Sequence, residues 1–150
     1  MLQTTHVFLF NKKWQLLLWM KKRWFGRDKW NWFGGKNHTR ETIKETALRE
    51  LSEEAGIFLK EKDIEKVGIL HFFNKWNPER DQDVHVFSWR YDGTHMETEE
   101  MKPQRRDTDK IPYEEMWEDD HIWLPKLINK QTPFDMTFTF NEEGMLADYF

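Results

Sequence analysis

Residues 35–57 read GKNHTRETIKETALRELSEEAGI, a run in which Glu41, Arg49, Glu50, Glu53 and Glu54 recur at spacings that suit shared work. In a helix each residue turns by about 100°, so Glu50, Glu53 and Glu54 fall on one stripe. Carboxylates held that close repel one another and resist ionisation unless cations neutralise them. Hard oxygen ligands at a partly open site suit Mg²⁺ or Mn²⁺, which keep waters and bridge to phosphates. The Gly34-Gly35 pair at the start of this run would let backbone approach a metal or phosphate closely. The competing reading is a solvated acidic face with ordinary partners such as Glu45 to Arg49.

A helix must carry these acids, and the sequence supplies both of its ends. Thr42 with Glu45 reads as a capping box, and Gly56 stands where a left-handed residue closes a helix. Ala47, Leu48, Leu51 and Ala55 project to a neighbouring stripe that can bury against a sheet and hold the acid face rigid. Short apolar and aromatic runs at 7–10, 16–20, 67–73, 84–91 and 136–140 predict the strands of that sheet, and Asp92-Gly93 is a turn signal. A second helix is expected within 114–129, with Pro125 in its first turn or at a kink. Strands on both sides of one helix, with another helix late, predict an α/β fold in which a mixed sheet lies between helices. No repeat, low-complexity tract or linker divides residues 1–150, so one domain is expected.

Lys and Arg number 23 against 27 Asp and Glu, a formal net charge of −4 that argues against general attraction to nucleic acid polymers or anionic membranes. Aromatic residues make up 16% of the chain and supply the buried area that disordered chains lack. Lysines interrupt the apolar runs, so no membrane span and no signal peptide are expected, and a soluble cytoplasmic protein is. The lack of Cys excludes disulfides, thiolate catalysis and Cys-type zinc sites. His85 alternates with Val84 and Val86 and reads as a surface or satisfied core position. Lys21, Lys22 and Arg23 beside Trp19, Trp24 and Phe25 form a basic, aromatic strip too short to be a groove for single-stranded nucleic acid.

The run at 35–57 resembles the Nudix box, Gly-x5-Glu-x7-Arg-Glu-U-x-Glu-Glu-x-Gly-U with U aliphatic, and departs from it at no fixed position. That resemblance implies a Nudix-type α/β/α sandwich with a central mixed sheet. It also implies that Glu50, Glu53 and Glu54 hold Mg²⁺, or Mn²⁺ in its place, with help from the Gly35 carbonyl, while Glu41 pairs with Arg49 and orients the cluster. Further segments, LLLWMKKRWFG, KWNWFGGK, DVHVF, EMKP and MWEDD, are similar to the MutT-homologue branch that hydrolyses oxidised purine nucleoside triphosphates. Carried over by position, this likeness makes Asn31, Trp117, Asp119 and Asp120 a base pocket with Phe25 and Phe72 as apolar walls. It sets Lys21 near the sugar and phosphates and makes Glu100 a further acid at the metal. The implied reaction is Mg²⁺-dependent hydrolysis of a substrate such as 8-oxo-dGTP to the monophosphate and pyrophosphate, by a monomer that cleans the nucleotide pool. Glu53 and Glu100 are both candidates for the base.

The pocket chemistry has its own logic, because two adjacent carboxyls in an apolar site cannot both ionise and so present a donor and an acceptor together. Several positions depart from the branch. Trp24 and Trp32 stand where it usually has glycine, Arg105-Arg106 replace an aromatic pair, and Gln82 replaces an apolar residue. Strand alternation is expected to set Trp32 on the face opposite Asn31, so that its indole need not enter the pocket directly while its bulk bears on the backbone that aims Asn31. A Nudix hydrolase of another nucleoside diphosphate-X compound and a nucleotide- or RNA-binding module that has lost catalysis are the alternatives.

Overall fold

The computed structural model describes residues 1–21, 29–93, 97 and 101–150, with backbone alone for Lys21 and Met101. Eight strands form one mixed sheet: β1 (Leu2–Phe10), β2 (Gln15–Lys21), β3 (Trp30–Asn31), β4 (Glu65–Asn74), β5 (Gln82–Arg90), β6 (Met101–Asp107), β7 (Phe134–Phe140) and β8 (Leu146–Tyr149). The order runs β3-β2-β1-β5-β4-β7-β8, with β6 also on β2. β1 with β5 and β4 with β7 are parallel, and the other pairs are antiparallel. Helices α1 (Ile43–Ala55) and α2 (Asp120–Ile128) cover opposite faces, so the expected α/β arrangement of a mixed sheet between helices is what forms.

Strand β1 shows why the sheet is buried on both sides. Val7 and Leu9 point toward α1 and pack with Ala47 and Leu51, while Phe8 and Phe10 point toward α2 and join Trp123, Leu124 and Leu127. A strand covered on both faces reads as an unbroken apolar run, which is how 7–10 reads. Leu51 and Trp123 are each wholly buried, and truncating Leu51 to Ala should cost about 2–5 kcal/mol.

Helix α1 begins and ends where its sequence says. The Thr42 side chain accepts the Glu45 N–H at 3.1 Å, which is the Thr42 half of the expected box. Gly56 adopts φ +64 and sends its N–H back to Ser52. Helix α2 excludes the first of the two places expected for Pro125, which lies past the first turn as the sixth helical residue and leaves the His121 carbonyl without its usual helical donor. Three strands were absent from the sequence pattern. β6 contains Pro103, Gln104, Arg105 and Arg106, and as an edge strand paired only to β2 it needs no apolar alternation.

The functional geometry begins at a split in the sheet. β2 touches β1 only where Phe10 faces Leu16, then leaves it, and β3 takes the vacated side at Trp19 and Met20. The segment after β3 enters the gap and bridges back to β1 through Val7 with Phe33 and Thr4 with Lys36. A crevice forms where neighbouring strands part in this way, much as at the switch points of open α/β sheets.

Candidate active site

Gly34 and Gly35 lie at this split because nothing larger fits. Gly34 has φ +147, and a Cβ there would fall 1.8 Å from the Thr5 carbonyl oxygen. At Gly35 a Cβ would meet the Glu50 carboxylate at 2.4 Å. The loop is thereby pressed onto α1, and the Gly34 N–H donates to Glu54 Oε1 at 2.9 Å. The Gly35 carbonyl accepts the Thr5 N–H at 2.9 Å and, at 3.5 Å, the Thr5 hydroxyl.

Arg49 gathers the acids. Its Nε and Nη2 donate to both oxygens of Glu41 at 2.7 and 3.1 Å, and its Nη1 donates to Glu50 at 2.9 Å and Glu53 at 3.3 Å. Nη2 also donates to the Lys36 carbonyl at 2.9 Å, tying the glycine loop to the helix. Glu41 further accepts the His38 N–H and the Thr46 hydroxyl, and the Arg49 guanidinium above all holds its carboxyl down to about 2. Burial pushes the Glu50 carboxyl up, against the pull of Arg49 and with repulsion from Glu53. Among the described residues no three His, Cys, Asp or Glu side chains converge as a metal cage. Arg49 draws Glu50 and Glu53 one way, and Gly34 draws Glu54 another.

A cleft of about 410 Å³ runs through the split and joins Gly34, Gly35, Lys36 and Glu54 to Asn31, Phe72, Trp117, Asp119 and Asp120. The structure therefore brings together most of the expected base-pocket residues, beside the box. Phe25 and Glu100 lie outside the described residues, as do Trp24 and the side chain of Lys21. Trp117 is half-buried, and Lys29 Nζ stands 5.2 Å over its ring.

Asp119 and Asp120 open α2 and are both buried. Asp119 Oδ2 accepts the Trp123 indole N–H and Asp120 Oδ2 accepts the Trp117 N–H, each at 2.9 Å. Burial pushes Asp119 up to about 6 and Asp120 well above the usual range, the latter with repulsion from Asp119. Asp120 Oδ1 is buried without a partner, so the pair holds an uncommitted polar atom at the cleft. An acidic helix start made only to suit the dipole would stay in water.

Trp32 lies on the face expected for it. It points with Trp30 into the α2-side core, as alternation demands, and packs edge-on to Trp123 at 5.4 Å, yet it also lines the cleft. The cleft passes between the faces of the sheet, so being on the face opposite Asn31 does not keep an indole out of it. Gln82 lines the cleft and accepts the Thr4 hydroxyl at 2.8 Å. Arg106 instead lies 4.9 Å over Trp30, and Arg105 donates to the Tyr91 carbonyl. His85 is satisfied, with Lys66 on Nδ1 and Gln3 on Nε2. His6, Asn74, Trp76 and Arg80 also line the cleft and were not singled out in the sequence. The one available signal was alternation along β1, which sets Thr4, His6 and Phe8 on one face.

Comparison with known proteins agrees with this geometry. The NUDIX domain model matches residues 2–131. The chain is 45% identical over 136 residues to the oxidized purine nucleoside triphosphate hydrolase of Danio rerio and 43% identical to that of Mus musculus, covering 90% of this chain and 85% of each relative. The crystal structure of the mutator MutT protein from Bacillus halodurans superposes with a TM-score of 0.83 at 24% identity, covering 100% of this chain and 97% of that one. Because one model spans residues 2–131, with both helices and the strands β1 to β6, the chain belongs to the NUDIX family of hydrolases.

Proposed function

We propose that the protein is a Mg²⁺-dependent hydrolase of oxidised purine nucleoside triphosphates such as 8-oxo-dGTP, releasing the monophosphate and pyrophosphate and so cleaning the cytoplasmic nucleotide pool as a monomer. The observation that carries this reading is that one cleft joins the Gly34, Gly35 and Glu54 end to the buried Asp119–Asp120 pair. The names of the 43–45% identical relatives point the same way.

The donor set fits a hard divalent ion. Glu50, Glu53 and Glu54 offer oxygen ligands with the Gly35 carbonyl, only glycine leaves room beside Glu50, and burial of Glu50 leaves a carboxylate that gains from a nearby cation. Glu100 joins this set by family resemblance. When bound, Mg²⁺ would neutralise charge on the phosphate oxygens.

The chain's own residues supply the positioning. Glu41 and Lys36 fix the Arg49 guanidinium, and Arg49 in turn holds Glu50 and Glu53. Glu53 has its side chain 58% exposed and is free to reach a water approaching phosphorus, which keeps it a base candidate beside Glu100. At the far end Trp117 stacks on the base, while Asn31 and the Asp119–Asp120 pair hydrogen-bond to its edge. The shared proton of that pair supplies a donor and an acceptor at once.

Incubating purified protein with 8-oxo-dGTP and a panel of ordinary and modified nucleotides, with and without Mg²⁺, tests this. The expected result is metal-dependent release of monophosphate and pyrophosphate, fastest from an oxidised purine. Silence across the panel would reject the reading, and a preference for a nucleoside diphosphate-X compound would reject the substrate.

A further inference from the structure

Buried polar atoms in folded proteins nearly always have partners, so an exception constrains the protonation of the group that carries it. Nδ1 of His6 is such an exception. His6 lies on β1 opposite Val86, on the face that looks toward α2, and its ring lines the cleft with Asn31, Asp119 and Asp120. The imidazole is set 4.5 Å from the Trp32 ring and 6.4 Å from the Trp123 ring, so two indoles hold its orientation. Burial pushes its pKa down to about 3, which keeps it neutral at physiological pH.

A neutral imidazole has one N–H and one bare nitrogen. Nδ1 is sealed and unpartnered, and an orphaned N–H is the rarer and costlier of the two choices, so the proton belongs on Nε2. His6 is only half-buried, and Nε2 is the ring nitrogen left to open on the cleft. The neighbouring Thr4 hydroxyl is already committed, since it donates to Gln82 Oε1. Of these β1 and β5 groups, His6 Nε2 and the Gln82 side-chain amide bring hydrogens to the cleft.

We propose that His6 is a specificity-determining residue that donates an Nε2–H hydrogen bond to an oxo group of the bound purine. The proposal rests on the oxidised-purine reading and names the group that reads the oxidation. Oxidation of a purine ring carbon replaces C–H with C=O and so adds an acceptor. The parent base offers C–H at that place and leaves the imidazole N–H unpaired in a desolvated site. A site built around a hydrogen bond rejects the analogue that lacks the partner.

The test compares kcat/KM for 8-oxo-dGTP against dGTP and for 2-oxo-dATP against dATP in wild type, His6→Leu and His6→Gln. The expected result is a loss of at least about tenfold in the oxo-to-parent ratio for one pair in His6→Leu, with recovery in His6→Gln, which keeps an N–H donor. An unchanged ratio, or equal losses on oxo and parent substrates, would overturn the proposal. Binding of 8-oxo-dGMP and dGMP to the metal-free wild type supplies a readout independent of turnover and of variant folding. With ¹⁵N-labelled histidine, His6 should carry its proton on Nε2, and that nitrogen should shift with 8-oxo-dGMP and not with dGMP. A proton on Nδ1, or the same response to both, would also overturn it. A wild type that binds selectively and hydrolyses nothing would remove the hydrolase reading and leave the His6 assignment standing.

Discussion

Gly34 and Gly35 are adjacent, yet Ala at each should fail in a different way. At Gly34 the new Cβ would fall 1.8 Å from the Thr5 carbonyl oxygen and 2.7 Å from its carbon, both in the backbone of β1. Backbone in a buried strand cannot yield, and φ +147 is a conformation that an L side chain strains to adopt. Backbone strain of about 1–3 kcal/mol and overpacking of about 1–3 kcal/mol give roughly 2–6 kcal/mol, or a Tm lower by roughly 5–20 °C at this chain length. At Gly35 the atoms in the way are the far end of the Glu50 side chain, which can swing aside. The swing would break the 2.9 Å contact with Arg49 and cost about 1 kcal/mol of stability. It would also displace a carboxylate proposed to hold the metal, where misplacement costs about 10- to 100-fold. Urea unfolding and Mg²⁺-dependent turnover, measured on both variants, separate the two. Gly34→Ala should lose stability, and Gly35→Ala should stay folded and lose turnover. A Gly35→Ala protein that melts as low as Gly34→Ala, or that turns over at the wild-type rate, would refute the reasoning.

Glu41→Gln should lower stability at neutral pH, with a defined acid limit. The folded carboxyl lies at about 2 against the usual 4.5, so its contribution is present above 4.5 and fades as pH falls through 2. Unfolding curves of wild type and variant should therefore converge between pH 4.5 and 2, and a gap that persists below that window counts against the Arg49 clamp. Asp119 has the opposite sign, raised from 3.8 to about 6, so its contribution is present below 3.8 and lost as pH rises through 6. Replacing both pocket acids, Asp119→Asn with Asp120→Asn, should flatten the wild-type decline across that interval in melting experiments. An equal decline in the double variant would show that the pair does not titrate there. Trp117→Ala should raise KM roughly 5- to 150-fold for every purine nucleotide alike, because stacking contributes about 1–3 kcal/mol without reading base identity. A loss confined to one base in steady-state assays would mean the indole reads an edge.

The acids of α1 were legible because everything that aims them is local. Thr42, Gly56 and the spacing of Glu50, Glu53 and Glu54 lie within one helix, where 3.6 residues per turn converts sequence into direction. The clamp from Arg49 to Glu41 spans eight positions, and it too follows from that helix and the turn before it. The base end of the cleft has no such shortcut. Asn31, Phe72, Asp119 and His6 come from three strands and a helix that meet only once the sheet has formed, and no period in the chain relates them. Alternation correctly sets Thr4, His6 and Phe8 on one side of β1, yet whether that side is core or cleft depends on where β2 leaves β1. The same split lets Trp32 line the cleft from the face opposite Asn31, since alternation assumes a continuous sheet and the cleft runs through a break in it. β6 escaped notice because an edge strand on β2 can carry Pro103 and Arg105 without violating any packing requirement. The local half of the site reads from spacing, and the half proposed to bind the base is set by contacts between residues distant in the chain. On the proposed function, changes at Trp32 or His6 should therefore alter which base is accepted while leaving the Glu50, Glu53 and Glu54 stripe untouched.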